Sequence, residues 1–232
     1  YFYGYTSNKP HQLRSATKPF IGGVLGIAVD KGFIKSEKDN LLPYFESTYP
    51  EIAHMDALKS RITIENFLMY RHGMDCENDN PETAGNEQSM MKSQDWVKYT
   101  LDLPMVEEPG KTSSYCTGCA LTLGRLVEVA TNERIEDFAD AHVFEPLGIT
   151  NKTFDMEKGD YGYLWEHKYF LVEGKEYSSY LATGNGGQKI NIWPELDMIT
   201  VFTGGNYNSY AVYGKSTPPN EMIPKYILAA VK

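Results

Sequence analysis

The stretch Ser15-Ala16-Thr17-Lys18 stands at the start of a helix that the sequence predicts over residues 15–31. Residues three positions apart in the first turn of a helix lie on one face, so the serine hydroxyl and the lysine amine come within reach of each other. A lysine partly removed from water at such a place loses its proton near neutral pH and takes up the serine proton. The serine then becomes a nucleophile. Because S-x-x-K is common by chance, its meaning depends on the rest of the chain.

The predicted helix carries three glycines, Gly22, Gly23 and Gly26. Each lowers helix propensity by roughly 1 kcal/mol relative to alanine. We therefore expect the helix to be buried, with neighbouring segments packed closely against its small residues.

The middle of the chain is predicted to be mostly helical, and its end to be mostly strands. The predicted helices after the first are 62–70 (with Thr63 as N-cap), 96–101, 119–129, 135–143 and 222–231. The predicted strands are 2–5, 161–165, 169–172, 177–181, 188–193 and 198–203, the last two joined as a hairpin by 194–197. This order predicts an α+β fold, with an antiparallel sheet flanked by the N- and C-terminal helices and an inserted helical lobe. We expect one domain, with a sheet lobe at about 1–40 and 156–232 and a helical lobe at about 41–155.

Charge and hydropathy exclude two classes of partner. The 232 residues carry a formal net charge of -9 and contain no Lys/Arg-rich run, so a nucleic-acid partner is not expected. No apolar stretch reaches the roughly 18 residues that a membrane span needs. The most apolar stretch, 20–29, is interpreted as part of the buried first helix.

The three cysteines, Cys76, Cys116 and Cys119, imply no disulfide framework. Cys116 and Cys119 form a C-x-x-C, which permits redox chemistry or half of a metal site. No second such pair accompanies it, so we favour two small residues opening a packed helix, and we predict no metal and no cofactor. The acidic segment 75–88 is interpreted as an exposed, solvated loop. After the helix 62–70 we expect Gly73 to act as a C-cap and His72 to have no chemical role.

Three further segments accompany Ser15 and Lys18. They are Ser114-Tyr115-Cys116-Thr117-Gly118 before a helix, Glu145-Pro146-Leu147-Gly148-Ile149 after a helix, and Gly184-Asn185-Gly186-Gly187-Gln188 entering a strand. Their order resembles that of the serine β-lactamase and penicillin-binding-protein superfamily, most of all its class C-like branch of esterases, amidases and D-amino-peptide hydrolases. The resemblance covers nearly the whole chain.

Each catalytic motif of that superfamily has a counterpart. Ser15 to Lys18 resembles the first motif, S-x-x-K. Tyr115-Cys116-Thr117 is similar to the second, Tyr-x-Asn, with threonine in place of asparagine. Asn185-Gly186-Gly187 takes the place of the third, usually Lys-Thr-Gly.

The resemblance implies a role for each matched residue. Ser15 would attack a carbonyl and form an acyl-enzyme, Lys18 would activate it, and Tyr115 would relay the proton and later activate water. The backbone N–H groups of Ser15 and Gln188 would form the oxyanion hole. Substrate would be bound by the third-motif and second-motif residues Asn185, Gly186, Gly187 and Thr117.

Two departures from the superfamily pattern bear on the substrate. Asn185 supplies no positive charge, and Thr117 lacks the combined donor and acceptor of an asparagine amide. They favour a small neutral ester or amide over efficient β-lactam turnover, with a lactam or D-amino-peptide still open. They also motivate an alternative, a non-catalytic member that acts as a binding or structural protein.

Other expectations rest on the resemblance alone. It implies a bacterial protein that is periplasmic or secreted, although a cytoplasmic location stays open. The strands that usually precede S-x-x-K are nearly absent, and only five residues lie between Asp155 and Tyr161, where family members usually have a longer segment. We therefore expect the native chain to be longer at the N-terminus and near 156–160. The oligomeric state stays unknown.

Overall fold

The computed structural model describes residues 13–149, 166–205 and 218–231. The chain divides into two compact units, residues 1–19 with 155–232 (here the sheet unit) and residues 20–154 (the helical unit). Helix α1, Lys18–Asp30, begins in the first and continues into the second. The predicted strands 2–5 and 161–165 lie outside the described residues.

The sheet unit contains a four-stranded antiparallel sheet with strand order β1-β2-β3-β4. The strands are β1 (Glu166–Val172), β2 (Lys175–Gly184), β3 (Gln188–Trp193) and β4 (Met198–Phe202). A 3-10 turn, Pro194–Leu196, joins β3 to β4, as the sequence predicts. Gly184 pairs with Gln188 where β2 turns into β3. The α+β prediction is confirmed.

One face of the sheet forms an apolar core with the C-terminal helical segment. That segment runs through α7 (Pro218–Met222), a π-helix (Ile223–Ile227) and a 3-10 turn (Leu228–Ala230). The buried side chains of this core are Phe170, Tyr177, Trp193, Ile223 and Leu228. Successive residues of a strand point to opposite faces of the sheet. Side chains of β1 and β4 on the face away from this core are exposed, namely Tyr169, Leu171, Ile199 and Val201.

The helical unit is built from short helices around one long one. They are α2 (Ile64–Leu68), α3 (Glu87–Met91), α4 (Trp96–Leu101), α5 (Thr117–Thr131) and α6 (Ile135–Ala139), with 3-10 turns at Leu42–Phe45 and Lys59–Arg61 and a π-helix at Asp140–Phe144. Thr63 caps α2 as predicted, because its hydroxyl accepts from the Asn66 N–H while the Asn66 side chain accepts from the Thr63 N–H. Most residues of α5 are buried, so it forms the centre of this unit.

Two expectations about burial are wrong. Gly23 and Gly26 are exposed, and a Cβ added at either would meet no atom within 4 Å. The segment 75–88 is not a solvated excursion, because Cys76, Asn78 and Asn86 are buried and Asn86 caps α3 by accepting from the Ser89 N–H. The acidic composition of segment 75–88 suggested full exposure, but the residues that anchor it have small or amide side chains and are buried.

Membrane insertion finds no support in the helices of residues 13–149, 166–205 and 218–231, none of which has both the length and the apolar character to cross a bilayer.

Candidate active site

Ser15 lies in a 3-10 helix, Arg14–Thr17, and Lys18 is the first residue of α1. The predicted helix therefore exists, but its α-helical part begins three residues later than expected. In a 3-10 helix the residues i and i+3 eclipse each other, so serine and lysine still share one side. Lys18 is only 1% exposed. A candidate nucleophile thus precedes a buried amine by one turn.

The 3-10 helix Arg14–Thr17, here the Ser15 turn, is fixed by local hydrogen bonds. The Thr17 hydroxyl donates to the Arg14 carbonyl at 2.7 Å, and the Ala16 N–H donates to the Leu13 carbonyl at 3.1 Å. Arg14 has a φ of 55°, a left-handed conformation that costs energy for a residue with a side chain. Such strain persists where surrounding contacts maintain it and is common at functional sites, and here it lies immediately before Ser15.

The end of β2 lies against the Ser15 turn. A Cβ added to Gly184 would overlap the Leu13 carbonyl oxygen and lie 3.1 Å from the Ala16 nitrogen. Only glycine permits this approach of one backbone to another. The structure therefore brings the Gly184–Gln188 segment next to Ser15, within the sheet unit.

The segment between β2 and β3 is held by glycines and by one amide side chain. Gly186 and Gly187 have φ values of 91° and 93°, which only glycine adopts readily. The Gln188 side chain is 1% exposed, donates to the Gly204 carbonyl at 2.7 Å and accepts from the Gly204 N–H at 3.2 Å. These contacts fix the start of β3, where the Gln188 N–H is a predicted oxyanion donor.

Tyr115 belongs to the helical unit and directly precedes the N-cap of α5, Cys116. Its N–H donates to Glu77 Oε2 at 3.1 Å, and its carbonyl accepts from the Asn78 N–H at 2.8 Å. Its ring meets the Tyr70 ring edge-on, with centroids 5.0 Å apart. The two backbone hydrogen bonds fix the main chain of Tyr115, and the residue is 37% exposed.

Thr117, the residue at the asparagine position of the second motif, is fully buried. Its N–H donates to Asn78 Oδ1 at 2.8 Å, and its hydroxyl accepts from Asn78 Nδ2 at 2.5 Å. The hydroxyl also lies 3.1 Å from Glu87 Oε1 as a donor. These bonds fix the first turn of α5, and substrate binding by Thr117 stays a prediction.

The sequence implies no disulfide framework, yet the structure contains a disulfide. Cys76 and Cys116 are joined, which ties segment 75–88 to the residue after Tyr115. Sequence spacing could not show this, because the partners are 40 residues apart and belong to no recurrent pattern. Cys119 takes no part in a disulfide and is buried.

His72, Cys116 and Cys119 place potential metal ligand atoms within 4.8 Å of one another. The disulfide occupies the Cys116 sulfur, however, and both nitrogens of His72 have backbone partners. Nδ1 accepts from the Met74 N–H at 3.1 Å, so Nε2 carries the proton and donates to the Ser114 carbonyl at 3.0 Å. Burial lowers the pKa of His72, which favours this neutral form. The cluster is therefore structural, and His72 positions the residue before Tyr115.

Comparison with known proteins identifies the family. A family model described as Beta-lactamase matches residues 2–168. The chain belongs to the beta-lactamase family. No curated protein matches the sequence.

Solved structures of several proteins share the fold of this beta-lactamase-family chain. It is similar to D-amino acid amidase from Ochrobactrum anthropi SV3, with a TM-score of 0.60, 14% identity and coverage of 94% of this chain and 93% of that one. The beta-lactamase/D-alanine carboxypeptidase from Yersinia pestis gives a TM-score of 0.62, 13% identity and coverage of 84% and 77%. The penicillin binding protein from Bacillus halodurans gives a TM-score of 0.56 and 14% identity, with coverage of 87% of this chain and 82% of that one. At these identities the likeness shows the fold alone.

The residues predicted for the beta-lactamase-family site divide between the two units. Ser15, Lys18 and the segment 185–188 belong to the sheet unit, while Tyr115 and Thr117 belong to the helical unit. Sequence reasoning missed the neighbours of the second motif, among them Tyr70, Glu77 and Asn78. The signal for Asn78 was weak, since it lies in a segment whose composition is that of a loop. Tyr70 carried no signal, being one of 17 tyrosines.

Proposed function

We propose that this chain is a serine hydrolase that cleaves a small ester or amide through an acyl-enzyme on Ser15, activated by Lys18 and Tyr115. The observation that carries the proposal is the burial of Lys18, 1% exposed, one turn after Ser15. Burial disfavours the charged form of an amine, so Lys18 is suited to hold a free electron pair beside the hydroxyl. Membership of a family whose structural neighbours are hydrolases supports the same conclusion.

In the proposed reaction, Ser15 Oγ forms a bond to the carbonyl carbon while its proton passes to Lys18 and Tyr115. The oxyanion accepts hydrogen bonds from the Ser15 and Gln188 N–H groups. The carbon–heteroatom bond then breaks, and the leaving group departs with that proton. Water, deprotonated by Tyr115, attacks the acyl-enzyme, which releases the acid and restores Ser15.

The substrate class follows from the residue that replaces the lysine of the third motif. Asn185 is neutral and follows the glycine that approaches the Ser15 turn. It offers hydrogen bonds but no charge for a substrate carboxylate, so neutral esters and amides are favoured over β-lactams and carboxylate-bearing peptides.

Intact mass spectrometry tests the proposal. Incubation with a fluorophosphonate should add one adduct to the wild type and none to Ser15→Ala. The matched control is Ser60→Ala, which removes an exposed hydroxyl bonded only locally to Ala57 and should leave labelling unchanged. Absence of an adduct on folded wild type would instead favour a non-catalytic binding or structural protein.

Replacing Lys18 with methionine tests the proton path. The change keeps the volume and removes the amine, so acylation by a nitrophenyl ester should fall by about 100-fold or more. Acylation of the Lys18→Met variant at the wild-type rate would contradict the role of Lys18. A panel of neutral esters, amides, lactams and D-amino-peptides then ranks the substrate classes by kcat/KM.

A further inference from the structure

Tyr70 contacts Tyr115 by both its ring and its hydroxyl. It follows α2, is 5% exposed, and packs its ring edge-on against that of Tyr115 at 5.0 Å. Its hydroxyl also hydrogen-bonds the Tyr115 side chain. A ring contact alone would serve packing, whereas a polar contact between two phenols can also affect protonation.

Hydrogen bonds to the backbone hold the segments that carry Tyr70 and Tyr115 next to each other. The Ser114 N–H donates to the Tyr70 carbonyl at 2.9 Å, and His72 Nε2 donates to the Ser114 carbonyl at 3.0 Å. Tyr70 has a φ of 53°, a left-handed conformation that is strained for an aromatic residue. Such strain persists where surrounding contacts over-determine it, and it clusters at functional sites.

The pKa of Tyr70 bears on which of the two phenols can donate. Burial, first of all, and then the proximity of Tyr115 and Cys119 raise the pKa of Tyr70 well above its ordinary value. Tyr70 therefore stays protonated and is able to donate to the Tyr115 oxygen. A hydrogen bond donated to a phenol oxygen favours the deprotonated form of that phenol.

We propose that Tyr70 is a positioning residue whose hydroxyl donates to the Tyr115 oxygen, orienting that side chain and stabilising it as a phenolate. The inference rests on the proposed function, in which Tyr115 accepts a proton. Among residues 20–149 of the helical unit, the Cys119 thiol lies near this pair, and the Glu77 carboxylate accepts from the Tyr115 N–H. Both are acidic groups whose charged forms would oppose a phenolate, so the neutral donor Tyr70 offsets them.

The test is Tyr70→Phe, which keeps the ring contact and removes only the hydroxyl. We expect kcat/KM at neutral pH to fall about 10- to 100-fold and the limb of the pH profile that reports Tyr115 deprotonation to move up by about 1 to 2 pH units. The matched control is Tyr49→Phe, which deletes another hydroxyl of the helical unit, one bonded to Asp95 at 3.0 Å. It should leave the profile in place. A lower rate with an unmoved limb would show that Tyr70 serves packing only and would overturn the proposal.

An activity-independent measurement separates this inference from the proposed function. In tyrosine-labelled protein, the NMR signal that disappears in Tyr115→Phe should titrate at higher pH in Tyr70→Phe than in wild type. The Tyr70 signal of wild type should stay in its neutral position above the pH at which an ordinary tyrosine ionises, because burial raises the pKa of Tyr70. If wild type lacks hydrolase activity but the Tyr115 signal moves as expected, the proposed function fails and the Tyr70 assignment stands. If the Tyr115 signal does not move, the assignment fails.

Discussion

Replacing Gly184 with alanine should disturb the Ser15 turn specifically. The new Cβ would lie roughly 1 Å inside ordinary van der Waals contact with the Leu13 carbonyl oxygen, and 3.1 Å from the Ala16 nitrogen. Both are backbone atoms of the Ser15 turn and its N-cap, so no flexible side chain can yield in their place. Either the turn or the end of β2 must move.

A displacement of roughly 1 Å at a reacting group costs on the order of 100-fold in rate. Overpacking of this kind destabilises by about 1–3 kcal/mol. We therefore expect Gly184→Ala to lower kcat on a nitrophenyl ester about 100-fold and to lower the midpoint of thermal unfolding. The matched control is Gly205→Ala, where a Cβ meets nothing within 4 Å.

The assay combines steady-state rates, thermal unfolding and the fraction of protein labelled by a fluorophosphonate. The labelled fraction corrects the rate for any misfolded protein. Gly205→Ala should match wild type within about 0.5 kcal/mol in stability and in rate. Equal rates and equal unfolding midpoints for the two variants would refute the close approach of β2 to the Ser15 turn.

Three further changes test the helical unit and α1. Lys59 is fully buried and donates to the Ala53 and Leu101 carbonyls, and burial lowers its pKa from 10.5 to about 8. Between pH 8 and 10.5 Lys59 is mostly protonated in the unfolded chain and mostly neutral in the folded protein. The free energy of unfolding should therefore rise by about 2 kcal/mol from pH 7.5 to 9.5. In urea titrations, Lys59→Met should remove this dependence on pH. Joint replacement of Cys76 and Cys116 by alanine opens a link across 40 residues and should cost about 4 kcal/mol by chain entropy; an unchanged urea midpoint would show that the link is dispensable. Gly23→Ala should raise stability by about 0.5–1 kcal/mol, since the site is exposed and open, and a loss would reveal an undetected neighbour.

Short sequence patterns predicted those helices, strands and caps that depend on interactions between residues close together in the chain. Helix α4 and strand β3 have the predicted bounds, because periodicity and β-branched composition report on faces that must be buried. Thr63 was identifiable as a cap, because capping chemistry lies within four residues. The order of the S-x-x-K and Tyr-x-Asn-like motifs was sufficient to indicate the family.

Long-range pairings were not predictable from one sequence. Glycine content in α1 suggested close packing, but propensity carries no information on whether a neighbour exists, and Gly23 and Gly26 are exposed. The Cys76–Cys116 link and the Tyr70–Tyr115 contact join residues 40 and 45 positions apart, and no spacing rule relates them. The left-handed residue directly after the α2 cap is Tyr70 rather than glycine, because contacts outside the helix hold it there. Gly73 is also left-handed, at a φ of 73°.

The cysteine arrangement makes the protein suitable for site-specific labelling without a cysteine-free background. Each of the three cysteines in the sequence is withheld from reagents, two by their mutual bond and Cys119 by complete burial. A cysteine introduced at Gly26, on the exposed side of α1, would be the accessible thiol. A fluorophore or spin label there would report on motion of the helix that begins at Lys18, under non-reducing conditions, with no other site competing for the probe.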